Sequence, residues 1–154
     1  MDIMNSKRIA DASAIAVLAT MAMTWVSFKG LAMLVSSGFS GFDLMSKGYS
    51  FLIVTPIGTI ICLLILIYSE SNPAAYESNR RGLAIVRILC AIVSALPVIF
   101  IIYSIESYDI TKETNMWAMM FVALMPPELN EGVWLNLLAI LVLGVEGFID
   151  FTRP

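Results

Sequence analysis

Arg87 and Glu146 are ionisable residues that lie well inside long apolar stretches of the sequence. A charge at the centre of a bilayer costs about 2.5 to 3.5 kcal/mol on insertion scales, so such charges tend to pair or to line a functional path. Arg87 lies four residues inside stretch 83–104 and Glu146 five residues inside stretch 133–151, so their depths match. This match predicts an intramembrane ion pair. The alternatives are that each side chain snorkels separately to the headgroups, or that Glu146 serves a proton or ion relay.

Cys62 and Cys90 are reactive side chains in the apolar stretches, and each lies seven residues from the inner end of its stretch. We expect them to behave as small apolar residues, because the inner half of a membrane helix supplies neither disulfide geometry nor an oxidising setting. The sequence contains no His, the commonest general base and transition-metal ligand. Acidic residues in the loops are typical of a solvated surface. The sequence therefore predicts no enzyme activity, no cofactor and no metal site.

Four apolar stretches must position these residues, namely 9–28, 51–69, 83–104 and 133–151. Each has about 20 residues, which at about 1.5 Å per residue is enough to cross a hydrocarbon core of roughly 30 Å. Hydrophobic residues make up 59% of the chain and charged residues only 14%, against about 25% charged in soluble proteins. We therefore predict an all-α integral membrane four-helix bundle in the cell membrane, with residues 1–154 forming a single transmembrane domain.

The distribution of basic residues predicts the orientation, because Lys and Arg beside a membrane segment are retained in the cytoplasm. With both termini cytoplasmic, every arginine lies inside, loop 70–82 is cytoplasmic, and loops 29–50 and 105–132 are outside. Stretch 9–28 is longer than a usual signal-peptide core, so we expect it to be the first membrane helix rather than a cleaved signal. Tryptophans concentrate at membrane interfaces, and the predicted interface anchors are Trp25, Trp117 and Trp134.

Two connections carry further predictions. Asn72-Pro73 is a turn signal, so the second and third helices should form an antiparallel hairpin. In the second outer loop, Met116–Met125 is apolar but too short to span a bilayer, which favours a short interfacial helix. A re-entrant pore element and a docking surface for a partner are the alternatives for that segment.

Small and polar residues recur at spacings of three and four along each stretch, and helices in lipid pack through such faces. We predict close packing of four helices through these residues, with a polar pathway as the alternative. The predicted packing residues are Ala16, Ala19, Thr55, Gly58, Thr59, Cys62, Cys90, Ala91, Ser94, Gly144 and Gly147, and the same face of the fourth helix includes Asn136, Ala139, Leu143, Glu146 and Asp150.

Two classes of function remain. The first is a non-catalytic structural or accessory subunit of a membrane assembly, whose polar faces turn into its own helices. The second is a homo-oligomeric channel or small transporter with a path lined by Thr55, Thr59, Asn136 and Glu146. We favour the first, with the lipid bilayer and other membrane subunits or further copies of the chain as partners. A net charge of -3 and the lack of an extended basic patch argue against nucleic-acid binding.

Overall fold

The computed structural model of the chain describes residues 3–28, 38–107 and 127–153 and is mostly helical there. The segment Met116–Met125 lies outside the described residues. In chain order, the elements are α1 (Ile3–Met21), β1 (Thr24–Phe28), β2 (Gly38–Ser40), α2 (Gly41–Ser46), a 3₁₀ turn (Ser50–Ile53), α3 (Val54–Ser71), α4 (Pro73–Glu106), β3 (Pro127–Leu129) and α5 (Glu131–Thr152).

Three helical segments are long and apolar enough to cross a membrane: Ser50–Ser71, Pro73–Glu106 and Glu131–Thr152. Their outward faces carry large apolar side chains, and Leu64 and Leu96, for example, are 60% and 59% exposed. So extensive an apolar surface is suited to lipid rather than to water. The chain therefore has the character of a multi-pass membrane protein, as the sequence predicts. Helix α1 is not among the three segments, so the fourth span stays a prediction.

Helices α3 and α4 form the antiparallel hairpin predicted from Asn72-Pro73. Asn72 is the one non-helical residue between them, and Thr55 at the start of α3 donates to the carbonyl of Ser94 in the second half of α4 at 2.9 Å. Pro73 occupies the first turn of α4, where a missing amide hydrogen costs nothing. A single residue therefore reverses the chain.

The predicted loop 70–82 is helical except at Asn72, because α4 begins at Pro73 rather than near residue 83. The apolar run begins near residue 83, but the residues before it include Ala, Glu and Arg, which are strong helix formers. Hydropathy thus marks the edge of the apolar region and not the end of the helix. The extension adds about 15 Å to α4 at about 1.5 Å per residue.

The four long helices pack in a ring, in which α4 contacts α3 and α5, and α1 contacts α5 and α3. Helix α5 runs antiparallel to α4, since Asp150 near the end of α5 contacts Tyr76 near the start of α4. We call the end of the ring that holds Asn72 and the last turn of α5 the turn end. The opposite end, where the three strands lie, is called the sheet end.

The sheet end is covered by a three-stranded antiparallel sheet in the order β2-β1-β3, a feature that the predicted all-α class lacks. Val26 of β1 pairs with Phe39 of β2 and Leu129 of β3. The predicted span 9–28 differs from the structure at its end, because α1 ends at Met21 and residues 24–28 form β1. These residues are mainly β-branched or aromatic, which favours a strand, whereas apolar character alone does not separate a strand from a helix.

Trp25 is a core residue of the structure and not the interface anchor that the sequence predicts. Its side chain is 0% exposed, and Nε1 donates to the carbonyl of Thr20 at 2.7 Å. The reversal of the chain after α1 turns Trp25 inward, and two glycines make room for its ring. A Cβ atom would lie 3.0 Å from Trp25 Cε2 at Gly41, and 3.1 Å from Trp25 Cδ1 at Gly132.

Helix α2 begins with a capping box, the reciprocal side-chain and backbone hydrogen bonds of an N-cap. Ser40 Oγ accepts from the amide of Asp43 at 3.1 Å, and Asp43 Oδ2 accepts from the amide of Ser40 at 2.9 Å. The hydrogen bond from the Ser40 backbone, followed by that from its hydroxyl, lowers the pKa of Asp43 below its ordinary value. The charged carboxylate therefore helps to hold α2 at the end of β2.

Candidate functional site: a buried polar cluster between α4 and α5

Tyr76, Arg87 and Asp150 form a polar cluster between α4 and α5 near the turn end, and we call these three residues the buried polar cluster. Arg87 Nη1 lies 2.6 Å from Asp150 Oδ2, and the Tyr76 hydroxyl donates to the same oxygen at 3.0 Å. Arg153 Nη2 approaches Asp150 Oδ1 at 3.6 Å from the edge of the cluster. Asp150 is therefore the central acceptor, with a basic or hydroxyl group at each carboxylate oxygen.

Helix geometry explains how these residues meet. Tyr76 and Arg87 are eleven residues apart on α4, which is about three turns and places them on one face. Small residues let α5 approach that face closely. A Cβ atom at Gly147 would lie 3.5 Å from Arg87 Cβ, and one at Gly144 would lie 3.3 Å from Ala91 Cβ. The structure thus brings Gly144, Gly147 and Ala91 together at one helix contact.

Arg87 has a partner that the sequence does not predict. The sequence predicts Glu146, whereas the structure pairs Arg87 with Asp150, one turn nearer the turn end. Side chains on a helix lean toward its N-terminus. Because α4 begins at the turn end, this lean takes Arg87 toward the level of Asp150, which it contacts. Glu146 is nevertheless buried, at 4% exposure, and its energetic coupling to Arg87 stays a prediction.

The buried polar cluster is suited to joining helices rather than to reacting with a substrate. Its members Tyr76, Arg87 and Asp150 are 3%, 1% and 6% exposed, so a substrate in solution does not reach them. A buried ion pair fixes the position at which two helices dock, since a displaced partner leaves an uncompensated charge. Arg87 Nε has no hydrogen-bond partner among the described residues, so Arg87 is anchored through the other side of its guanidinium group.

A second group of polar residues lies between α3 and α4, nearer the sheet end. Thr55 and Thr59 are both 0% exposed. Thr55 Oγ1 donates a hydrogen bond to the carbonyl of Ser94 at 2.9 Å. Thr59 Oγ1 donates a hydrogen bond to the carbonyl of Thr55 at 2.8 Å. Gly58 lies between them, where a Cβ atom would collide with Ser94 Oγ and lie 3.1 Å from the carbonyl of Cys90. These predicted packing residues therefore meet at one close helix contact.

Asn136 joins α5 to α1 in the interior of the ring. Its side chain is 0% exposed, and Nδ2 donates to the carbonyl of Val17 at 2.8 Å and to Thr20 Oγ1 at 2.9 Å. Within the described part of the chain, Asn136 Oδ1 has no hydrogen-bond partner. The amide of Asn136 therefore serves as a donor that connects the two helices.

Helix α1 presents a different face to its neighbours than the predicted one. Ala19 is exposed and Ala16 is only partly buried, whereas Ser13, Val17 and Thr20 are buried. The stripe with Ala16 and Ala19 lies next to the stripe with Ser13 and Thr20, and spacing alone does not decide which of the two turns inward. The Thr20 hydroxyl donates to the carbonyl of Ala16 at 2.7 Å, and such a bond lets a hydroxyl residue be buried without an unsatisfied donor.

The remaining predicted residues are placed as follows. Cys62 and Cys90 are free thiols on the facing helices α3 and α4, and Cys62 Sγ lies 3.8 Å from the carbonyl of Arg87. Trp134 is 45% exposed in the first turn of α5, at the sheet end. Trp117 lies outside the described residues.

Asp150 and Tyr76 are the site residues whose roles the sequence interpretation misses. Asp150 lies one turn after Glu146 on the predicted face of α5, so the periodicity does indicate its burial. Its contact with Arg87 depends on the direction in which Arg87 leans. Among the described residues, no group of three or more His, Cys, Asp or Glu side chains is placed to hold a metal ion.

No protein-family model matches the chain, and no curated protein is significantly similar to it.

Proposed function

We propose that this protein is a non-catalytic structural or accessory subunit of a membrane assembly. In this proposal, α1, α3, α4 and α5 form a four-span membrane bundle with both termini in the cytoplasm. The outer surface of the bundle faces lipid and partner subunits, and Met116–Met125 forms an interfacial helix on the outer side. The polar groups inside the bundle hold the helices in register.

The observation that carries the proposal is the inward position of the polar residues that a channel would place along its path. Thr55, Thr59 and Asn136 are 0% exposed and Glu146 is 4% exposed. The two threonines and Asn136 also bond to neighbouring groups within the chain. A homo-oligomeric channel requires such residues to face a shared axis between copies, whereas a subunit of fixed structure uses them to join its own helices.

The outward surface supports the same proposal. Exposed side chains on α3, α4 and α5 are mostly Ile, Leu, Val and Phe, and these include Ile67, Leu89, Leu138 and Phe148. Such a surface suits acyl chains and apolar partner helices equally well. A protein that lines a water-filled path through a symmetric ring would instead present a polar stripe on one outward face.

The proposal is tested by purifying the chain from its native membrane in a mild detergent and measuring the mass of the intact complex. We expect the chain together with different membrane subunits at a fixed stoichiometry. A complex made only of copies of this chain, together with ion flux in reconstituted vesicles, would favour the channel.

A matched pair of variants separates these outcomes. Asn136→Leu changes an interior polar residue, and Leu138→Ala changes a lipid-facing residue of the same helix. In a channel lined by Asn136, the first variant would alter flux and the second would not. In a structural subunit, neither variant creates or removes flux, and Asn136→Leu instead weakens the α1–α5 contact.

A further inference from the structure

An apolar cavity of about 360 Å³ lies at the sheet end, between the sheet and the last turns of α4. Its volume falls within the range of small-molecule sites in proteins, roughly 300 to 1,000 Å³. Phe28 and Phe39 form part of its wall, and their rings meet edge to face with centroids 5.9 Å apart. The other apolar lining residues are Val26, Leu44, Ile101, Ile105 and Pro127.

The cavity has a basic group at its edge. Lys47 lines the cavity, and its Nζ lies 5.0 Å from the centroid of the Phe39 ring. Lys47 makes no ion pair with a carboxylate of the described residues. Asp43, one turn earlier on α2, accepts two hydrogen bonds from Ser40 at 2.9 and 2.7 Å, and among the causes that lower its pKa the charge of Lys47 is the smallest. The ammonium group is therefore available to an anion at the edge of the cavity.

A row of aromatic rings connects the cavity to the lipid-facing surface. Tyr49 also lines the cavity; its ring centroid lies 6.0 Å from that of Phe51, which in turn lies 5.3 Å from that of Phe100. Phe51 and Phe100 are 38% and 53% exposed. Tyr at the end of an apolar span is typical of the level at which headgroups lie. Contacts between aromatic rings thus extend from the cavity lining to the lipid-facing surface.

We propose that the cavity binds an anionic membrane lipid, with one acyl chain among Phe28, Phe39 and Ile101 and with the anionic headgroup beside Lys47. The apolar lining selects a hydrocarbon chain, and the ammonium group of Lys47 selects a negative headgroup over a zwitterionic one. The hydroxyl groups of Tyr49 and Ser104, which also line the cavity, supply hydrogen bonds to headgroup oxygens.

The test uses native mass spectrometry of the full chain in a mild detergent. The chain is titrated with phosphatidylglycerol and, separately, with phosphatidylcholine of the same acyl chains. We expect one phosphatidylglycerol to be retained per chain with about fivefold higher affinity than phosphatidylcholine, as one basic residue near an anionic headgroup gives. Lys47→Ala should remove this preference, and Lys47→Arg should keep it. Both variants change an exposed side chain and leave the core intact.

A second variant tests the acyl-chain part of the site. Ser104→Phe fills the cavity from α4 and should lower retention of both lipids at least tenfold. Val93→Phe, which places the same aromatic side chain at a lipid-facing position of α4, should leave retention unchanged. Equal retention of the two lipids by the unmodified chain, or an unchanged preference in Lys47→Ala, would overturn the proposal. Displacement of the lipid by millimolar inorganic phosphate would also overturn it, because the acyl chain would then contribute no binding.

Discussion

The ion pair between Arg87 and Asp150 gives the most direct test of how the helices are held together. Asp150→Leu removes the carboxylate that lies 2.6 Å from Arg87 Nη1. Arg87 is then left 1% exposed, with its charge in a site that water does not reach. Arg87→Leu has a smaller effect on its partner, since Asp150 keeps the Tyr76 hydroxyl at 3.0 Å and Arg153 at 3.6 Å.

The magnitudes follow from these distances. Removing one member of a buried pair typically costs about 3 to 5 kcal/mol of unfolding free energy. We expect about 3 kcal/mol for Asp150→Leu, and about 2 kcal/mol for Arg87→Leu because two groups still neutralise or bind the carboxylate. The double variant should lose only about 2 kcal/mol, which corresponds to a coupling energy of about 3 kcal/mol. Two leucines in contact pack well in a membrane interior, so the double variant recovers much of the loss.

The measurement is reversible unfolding in mixed micelles of a mild detergent and dodecyl sulfate, followed by circular dichroism. A parallel cycle with Arg87→Leu and Glu146→Leu tests the pair that the sequence predicts. We expect weaker coupling in that cycle than between Arg87 and Asp150. Additive losses for Arg87 and Asp150 would refute the argument that this ion pair holds α4 against α5. As a control, Glu77→Leu breaks a pair in which Glu77 is 56% exposed and should cost less than about 1 kcal/mol.

Three further predictions concern packing, orientation and pH. Gly58→Leu should lower the free energy of unfolding by more than about 2 kcal/mol, because the leucine side chain enters a close helix contact. The control Ile61→Leu, at a lipid-facing position, should change the free energy of unfolding little. Equal losses of unfolding free energy in the two variants would contradict the packing of Gly58 at this contact. A cysteine introduced at Ser78 should react with an impermeant thiol reagent only from the cytoplasm, and one at Thr114 only from outside, with the reverse pattern inverting the orientation. The pKa of Asp43 is lowered in the folded state, so the charged carboxylate should stabilise α2 fully at any pH above the unfolded pKa of about 4. This stabilisation should be lost as the pH falls through the lower pKa of the folded state. In NMR spectra, the chemical shift of the N-cap amide should follow this titration, and it should no longer do so in the variant Asp43→Asn.

The sequence by itself determined the buried face of α5. Asn136, Ala139, Leu143, Glu146, Gly147 and Asp150 recur at spacings of three and four, and all are buried in the structure. A helix that contacts neighbours along one side must bury residues at its own period, so spacing is sufficient here. The hairpin at Asn72-Pro73 is local in the same sense, because a turn residue and a proline suited to a first helical turn are adjacent in the chain.

Only the tertiary structure decided the position of Trp25 and the existence of the sheet. Val26 pairs with residues 39 and 129, and no local pattern links positions so far apart in the chain. It also decided which stripe of α1 turns inward and that Asp150 meets Arg87. Both depend on the direction and rotation of a neighbouring helix, which the periodicity of one helix does not contain. Local spacing thus determines which face of a helix can pack, while its contact partner depends on the relative placement of two helices.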